Sequence, residues 1–346
     1  MGRGGIVVSA VCATLVLQFL VPVSTQAGAG VVQVTPLGSH AGELCFADRA
    51  MVFEDPKGVR ILYDPGRTVD ESDPRLGTID VVLLSHVHAD HLGDVRPSSG
   101  GGTCAAPAFG GANASSNTAS IAAVKRAAIV LPRESAAFLA NRVRNVSGTA
   151  TLACLTSGPD NETIVPVSTT CTAGLSPGAG GRLITRSGSG SVRIVAVPAV
   201  HENDIPAQYL DAPGVVAGVS ASAGPASGFV IMFSNGLRAY LSGDTGVSAE
   251  MDTIGRLYRP QLAVINVADP AVMGPEQAAF GVQQYIRPAT VLLTHVNEQA
   301  TNGGRVVSGT RADRFSRLIG GSSEVVMAVS GVTRSFDGDG RCTGCR

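Results

Sequence analysis

The residues with chemical potential crowd into one short stretch. Between Leu84 and Asp94 the chain reads L-S-H-V-H-A-D-H-L-G-D, so His86, His88, Asp90 and His91 fall within six positions. Imidazole nitrogen suits zinc and its neighbours, and a carboxylate adds a hard oxygen donor and negative charge. A single histidine is more often a surface or core residue than a ligand. Four titratable groups gathered at one point are different, because burying them without a cation to pair them is costly. Three more such residues stand far downstream: His201, Asp244 within Gly243-Asp244-Thr245-Gly246, and His295 after Thr294.

Apolar strands must carry these groups. Val81 to Leu84 is a short, partly β-branched run that predicts a buried strand ending at the motif. Val192 to Val197 predicts a strand just before His201. Gly228–Phe233 and Leu237–Leu241 predict a hairpin around Ser234-Asn235-Gly236, which runs into Asp244. Leu262–Val267 predicts another strand, and Thr290–Leu293 one that ends at His295. Strand ends on one edge of a layered sheet fold point the same way, so these distant residues can meet. Upstream, Val31–Thr35, Ala50–Phe53 and Val59–Tyr63 read as strands, the last closing at Asp64-Pro65-Gly66. Helices are expected over Pro132–Val143, from Pro275 onward with Ala278, Ala279, Val282 and Ile286 on one face, and over Arg311–Ile319. A last strand is expected at Val325–Val329. His40, in the early turn Leu37–His40, is a lesser candidate that would face a substrate if the turn does.

Composition narrows the class. The chain has 346 residues and a net charge of −1, with its positive charge nearly all arginine since only Lys57 and Lys125 are lysines, and no basic stripe invites nucleic acid. Arg3, the apolar run Ile6–Val23 and the small residues near Ala27 and Ala29 read as an export signal over 1–29, removed without leaving a stable membrane insertion. An uncleaved anchor is the rival reading. After removal six cysteines remain: Cys45, Cys104, Cys154, Cys171, Cys342 and Cys345. An even number in an exported chain predicts disulfides, with Cys342–Cys345 one pair and Cys104 the first choice for Cys45. Residues 30–335 read as one hydrolase domain with a Gly/Ser/Cys-containing insertion at about 96–191, tied down by disulfides. Residues 336–346 read as a solvated tail. Nothing in the sequence marks an oligomeric state.

With H-V-H-A-D-H at His86–His91, isolated His201, G-D-T-G around Asp244 and T-H at His295, the sequence resembles the metallo-β-lactamase-fold hydrolase superfamily over roughly Val31–Val329. Met273–Ala279 (M-G-P-E-Q-A-A) followed by His295, Thr35–His40 and Asp64-Pro65 are similar to its ascorbate-phosphate lactonase-like branch. The resemblance implies an α/β fold, a four-layer αββα sandwich with metal at one edge between the sheets. It implies two divalent ions, zinc with manganese as the alternative. His86, His88 and His201 would hold one, Asp90, His91 and His295 the other, and Asp244 would bridge them. Asp90 would be the catalytic residue, orienting an attacking water whose pKa a bound metal lowers from 15.7 to about 7. The implied activity is hydrolysis of an ester-like bond in a small molecule, a lactone first. A phosphodiesterase of small cyclic phosphodiesters, a β-lactamase-type amidase and a metal-binding module without turnover are the alternatives. Near-zero charge weighs against nucleic-acid phosphodiesters. G-D-T-G, in place of a cysteine-containing motif, weighs against the β-lactamase. The full set of seven ligands weighs against an inert module.

Overall fold

Side-chain alternation along the strands decides the layering. In the run before the histidine motif, Val81 and Leu83 join one apolar cluster while Val82 and Leu84 join another. The same period of two appears in Leu262–Asn266: Leu262 and Val264 face the first cluster, Ala263 and Ile265 a third. Both faces of these strands are therefore buried, as in a sheet covered on each side. In a computed structural model, which describes residues 1–2, 30–158, 162–164, 169–179, 181–186, 189–206, 209 and 220–345, the three clusters stack as layers. The segment read as an export signal, Arg3 to Ala29, lies outside the described residues.

Two large sheets form the middle. The first has the order Cys342–Thr343, Arg334–Phe336, Val32–Leu37, Ala50–Glu54, Arg60–Tyr63, Val81–Leu83, Ala128–Pro132, Cys171–Leu175 and Leu152–Ala153. The second runs Glu324–Met327, Thr290–Thr294, Leu262–Asn266, Arg238–Leu241, Ser227–Met232, Ser189–Pro198, Arg182–Arg186, Thr163–Ile164 and Thr156–Ser157. Phe53, Ile61 and Leu83 of the first meet Phe229, Ile231 and Leu241 of the second in the central core. Helices Asn117–Lys125 and Ala136–Ser147 cover the outer face of the first sheet through Ile121, Leu139 and Val143. Helices Glu250–Tyr258, Pro275–Phe280 and Arg311–Ile319 cover the second through Ile254, Ala278 and Phe315. The fold is the four-layer αββα sandwich.

Two expectations need correction. The stretch 96–191 is not simply an insertion: it supplies two covering helices and three strands of the first sheet, and three strands and the start of a fourth of the second. Among the described strands of this stretch, only the antiparallel hairpin Val95–Thr103 and Ala106–Ala112 stands apart from both large sheets. The described part of the expected tail, 336–345, is anchored to the fold and not simply solvated. Phe336 is buried in the central core, Cys342–Thr343 pairs with Ser335–Phe336, and the Gly340 carbonyl accepts a hydrogen bond from Thr290 Oγ1 at 2.8 Å. The disulfides are Cys45–Cys104, Cys154–Cys171 and Cys342–Cys345, with Cα separations of 4.6, 4.8 and 5.7 Å. Among the described residues, no helix is long and apolar enough to cross a membrane.

Candidate metal centre

Each candidate ligand leaves the end of a strand. Val81–Leu83 and its parallel neighbours Arg60–Tyr63 and Ala128–Pro132 run in one direction. Beyond Val81–Leu83 come Ser85 and His86, and then one helical turn, Ala89–Leu92, which carries Asp90 and His91. In the second sheet Arg238–Leu241, Leu262–Asn266 and Thr290–Thr294 are mutually parallel, so Asp244, Asn266 and His295 emerge on one edge. His201 follows Ser189–Pro198. Sheet geometry thus brings together residues from both halves of the chain, at the carboxyl ends of strands where ligand crevices form.

Tight backbone turns hold the edge. Gly243 has φ 58°, and a Cβ there would lie 2.9 Å from the Ser227 carbonyl oxygen. Gly66 has φ 60° and approaches the Asp90 backbone so closely that a Cβ would stand 2.8 Å from its carbonyl oxygen. Glycine is required at both positions. Asp64 and His295 also adopt positive φ, 37° and 47°, a sparsely populated conformation for residues with side chains.

The donor atoms converge. Nε2 of His201 lies 3.2 Å from Nδ1 of His88, and Oδ2 of Asp244 lies 3.7 Å from His201 Nε2 and 3.9 Å from His86 Nε2. On the other side, His91 Nε2 and His295 Nε2 are 3.1 Å apart, and both face Asp244 Oδ2, at 3.2 and 3.4 Å. Asp90 Oδ2 is 3.5 Å from His295 Nε2. A tetrahedral ion with ligands at about 2.0–2.1 Å needs donors about 3.3–3.4 Å apart. Three groups meet that demand, His86–His88–His201, His86–His91–Asp244 and Asp90–His91–His295, with donors within 4.8 Å of one another.

Hydrogen bonds behind the cluster aim the imidazoles. Asp64 accepts from the Ser85 N–H and hydroxyl at 2.8 and 2.7 Å, and from His91 Nδ1 at 2.8 Å. That fixes the proton of His91 on Nδ1 and turns Nε2 inward. The Ser85 hydroxyl, having donated to Asp64, accepts from His86 Nδ1 at 3.0 Å. His86 Nε2 is then a fully buried acceptor with no hydrogen-bond partner among the described residues, the mark of a position made for a cation. Asn266 Nδ2 donates to the second carboxylate oxygen of Asp244 at 2.7 Å, leaving Oδ2 to the cluster.

Charge states suit metal as well. Burial, followed by the repulsion of neighbouring histidines such as His91, holds His86 well below its usual pKa, and burial also lowers His88 and His201. Burial opposes ionisation of Asp90 and Asp244, yet Arg49, His91 and His295 outweigh it at Asp90, and His295 and His91 outweigh it at Asp244, holding both well below the usual carboxylate range. Burial likewise opposes charge on His91, but Asp244, Asp64 and Asp90 carry its pKa up to about 10. Ionised carboxylates and neutral imidazoles are the forms that bind metal, so His91 must surrender a proton when an ion binds.

All seven candidates therefore gather in one place. His40 does not join them. Asp48 Oδ1 accepts the Ser39 N–H and Ser330 Oγ accepts the Gly38 N–H, and the turn so fixed places His40 in the wall of a separate cavity with Asp70, Ser72 and Phe109. Two residues not among the expected ligands belong to the site. Asp64 was marked only by its turn after a strand and, with Pro65, by the family resemblance. Arg49 had no signal at all, yet its Nη2 lies 2.9 Å from Asp90 Oδ2. A cavity of about 710 Å³ opens over the cluster, rimmed by Val200, Glu202, Pro270, Ala271 and Asn297.

Comparison with known proteins agrees with this architecture. Residues 59–296 match the β-lactamase superfamily domain. A UPF0173 metal-dependent hydrolase of Cupriavidus taiwanensis is 26% identical over 267 residues, 75% of this chain and 76% of that protein. One from Polynucleobacter asymbioticus is 24% identical over 305 residues, covering 85% of each. The metallo-hydrolase Igni18 of Ignicoccus hospitalis has the same fold, with a TM-score of 0.54 at 20% identity over 89% of this chain and 99% of that one. The domain match spans every candidate ligand from His86 to His295 and the sheet edge that carries them; the chain belongs to the metallo-β-lactamase superfamily and is a metal-dependent hydrolase.

Proposed function

We propose that the protein is an exported dinuclear hydrolase that opens an ester-like bond in a small molecule, with a lactone as the leading substrate class. The observation that carries this reading is the pair of half-sites sharing Asp244 Oδ2, each with donors spaced for one ion. His86, His88 and His201 would hold one ion and Asp90, His91 and His295 the other, with Asp244 serving both; zinc suits this nitrogen-rich set best, with manganese next. Bound metal would supply a water of lowered pKa and polarise the carbonyl under attack. The chain's own groups do the rest. Asp90, kept ionised beside Arg49, accepts a hydrogen bond from the attacking water and orients it toward the cavity. His86 and His91, locked by Ser85 and Asp64, keep their Nε2 atoms directed at the cluster without needing to reorganise.

The rim favours an uncharged substrate. Val200, Pro270 and Ala271 are apolar and Glu202 is acidic, and among the described residues no lysine or arginine lines the cavity. Among the described residues a phosphodiester would meet no exposed cation on this rim, Arg49 being buried behind Asp90, whereas a lactone ring needs none. Export is supported by the apolar run Ile6–Val23 and by three disulfides, which persist in oxidising compartments. The test is turnover by protein assayed in excess zinc or manganese against a panel of lactones, cyclic phosphodiesters and β-lactams. Lactone opening as the fastest reaction supports the assignment; preferential cleavage of phosphodiesters or β-lactams overturns it.

A further inference from the structure

One half of the cluster already has a cation beside it. Arg49, which directly precedes the strand Ala50–Glu54, is 4% exposed. Its Nη2 lies 2.9 Å from Asp90 Oδ2, 3.1 Å from His295 Nε2 and 3.3 Å from Asn297 Oδ1, while Nη1 donates to the Ala47 carbonyl at 2.9 Å. Asp90 Oδ2 and His295 Nε2 are two of the donors that converge with His91 on the second half-site. A carboxylate oxygen has lone pairs to share between a guanidinium and an ion. An imidazole Nε2 has one, so His295 can accept from Arg49 or ligate metal, not both. Repulsion between two neighbouring cations adds to that conflict. The first half-site differs: the contacts of His86, His88 and His201 are with Ser85, Asp244 and other histidines of the cluster.

Resting on the two-ion reading above, we infer that Arg49 competes with the second ion, so that the half-sites fill in order. The His86–His88–His201 side fills first and tightly. The Asp90–His91–His295 side fills second and more weakly, as Arg49 releases His295. The guanidinium is not fully anchored, since its buried Nε has no hydrogen-bond partner among the described residues. Ala47 and Asn297 can retain it after the exchange. Arg49 is thus a positioning residue that sets the occupancy of the second metal.

Metal-free protein titrated with zinc in competition with a chromophoric chelator reads both affinities without any substrate. The parent should bind two ions with dissociation constants about tenfold or more apart, and Arg49→Met should tighten the weaker step by about 10–100-fold, the range over which groups behind a ligand tune affinity. The tighter step should stay unchanged, and His295→Ala should abolish only the weaker one. Equal affinities in the parent, or an unchanged weaker step in Arg49→Met, overturn the inference alone. One ion in the parent and two in Arg49→Met support it. No ion, or a single ion in both proteins, overturns the two-ion reading beneath it. Circular dichroism verifies the fold, and Arg49→Gln, which also removes the charge, replaces Arg49→Met if that variant does not fold.

Discussion

Replacing Asp64 by asparagine alters hydrogen-bonding capacity while leaving the side chain almost the same size. Asparagine also tolerates the positive φ of this position, so the backbone need not move. In the parent, three donors meet the carboxylate: the Ser85 N–H on Oδ1, and the Ser85 hydroxyl and His91 Nδ1 on Oδ2. An amide cannot satisfy them all. With its oxygen toward the Ser85 N–H, its NH2 faces His91 Nδ1–H; with the oxygen toward His91, the NH2 faces the Ser85 N–H. Either orientation sets donor against donor in a fully buried place. A hydrogen bond to a charged group contributes about 1.5–3 kcal/mol, and each 1.4 kcal/mol is about tenfold in an equilibrium constant. Asp64→Asn should therefore weaken zinc binding by about 10–100-fold, in line with the loss seen when the partner behind a ligating histidine is removed. Chelator competition measures it, with far-UV circular dichroism as the check on folding. Unchanged zinc affinity in folded Asp64→Asn would refute the claim that this carboxylate orients His91.

Three further outcomes are expected. Asp244→Ala should fold, since Gly243 sets the turn, but lose about two to three orders of magnitude in kcat, as when an electrostatic stabiliser is removed; near-normal kcat with both ions retained would deny it the bridging role. Removing metal with a chelator should abolish hydrolysis and lower Tm, because an ion at a thousand times its Kd stabilises by about 4 kcal/mol; zinc or manganese added back should restore both, and an unmoved Tm would mean the cluster holds no ion. The double variant Cys45→Ser/Cys104→Ser removes a link across 59 residues and should cost about 2–4 kcal/mol, read by urea unfolding of oxidised protein; equal midpoints would show the bridge does not constrain the chain.

The strands that carry the ligands were legible because their apolar residues form unbroken runs. Val81–Leu83, Arg238–Leu241 and Leu262–Asn266 lie within the segments expected from pattern, and Thr290–Thr294 extends its expected segment by one residue. Helix Arg311–Ile319 was found to the residue, with Thr310 capping its start. Cys171–Leu175 was not legible. Its C-T-A-G-L sequence has no strand period, and it is a strand because Ala128–Pro132 pairs with it in parallel. Strand Arg334–Phe336 likewise depends on Val32–Val34, some 300 positions away. Metal ligands announce themselves by residue type and local spacing, whereas the groups that aim them do not. Arg49 reaches His295 across 246 positions, and no local pattern encodes such a meeting.

That the ligands come from both sheets also bears on the order in which the protein becomes competent. Synthesis delivers His86, His88, Asp90 and His91 first, and these alone cannot complete either half-site. His201 and Asp244 arrive after more than a hundred further residues, and His295 only with the last strands. A nascent chain therefore carries reactive side chains but no assembled hydrolytic centre. The donors converge only where the edges of the two sheets meet, so competence requires both sheets to be in place and the chain to have been made at least as far as His295.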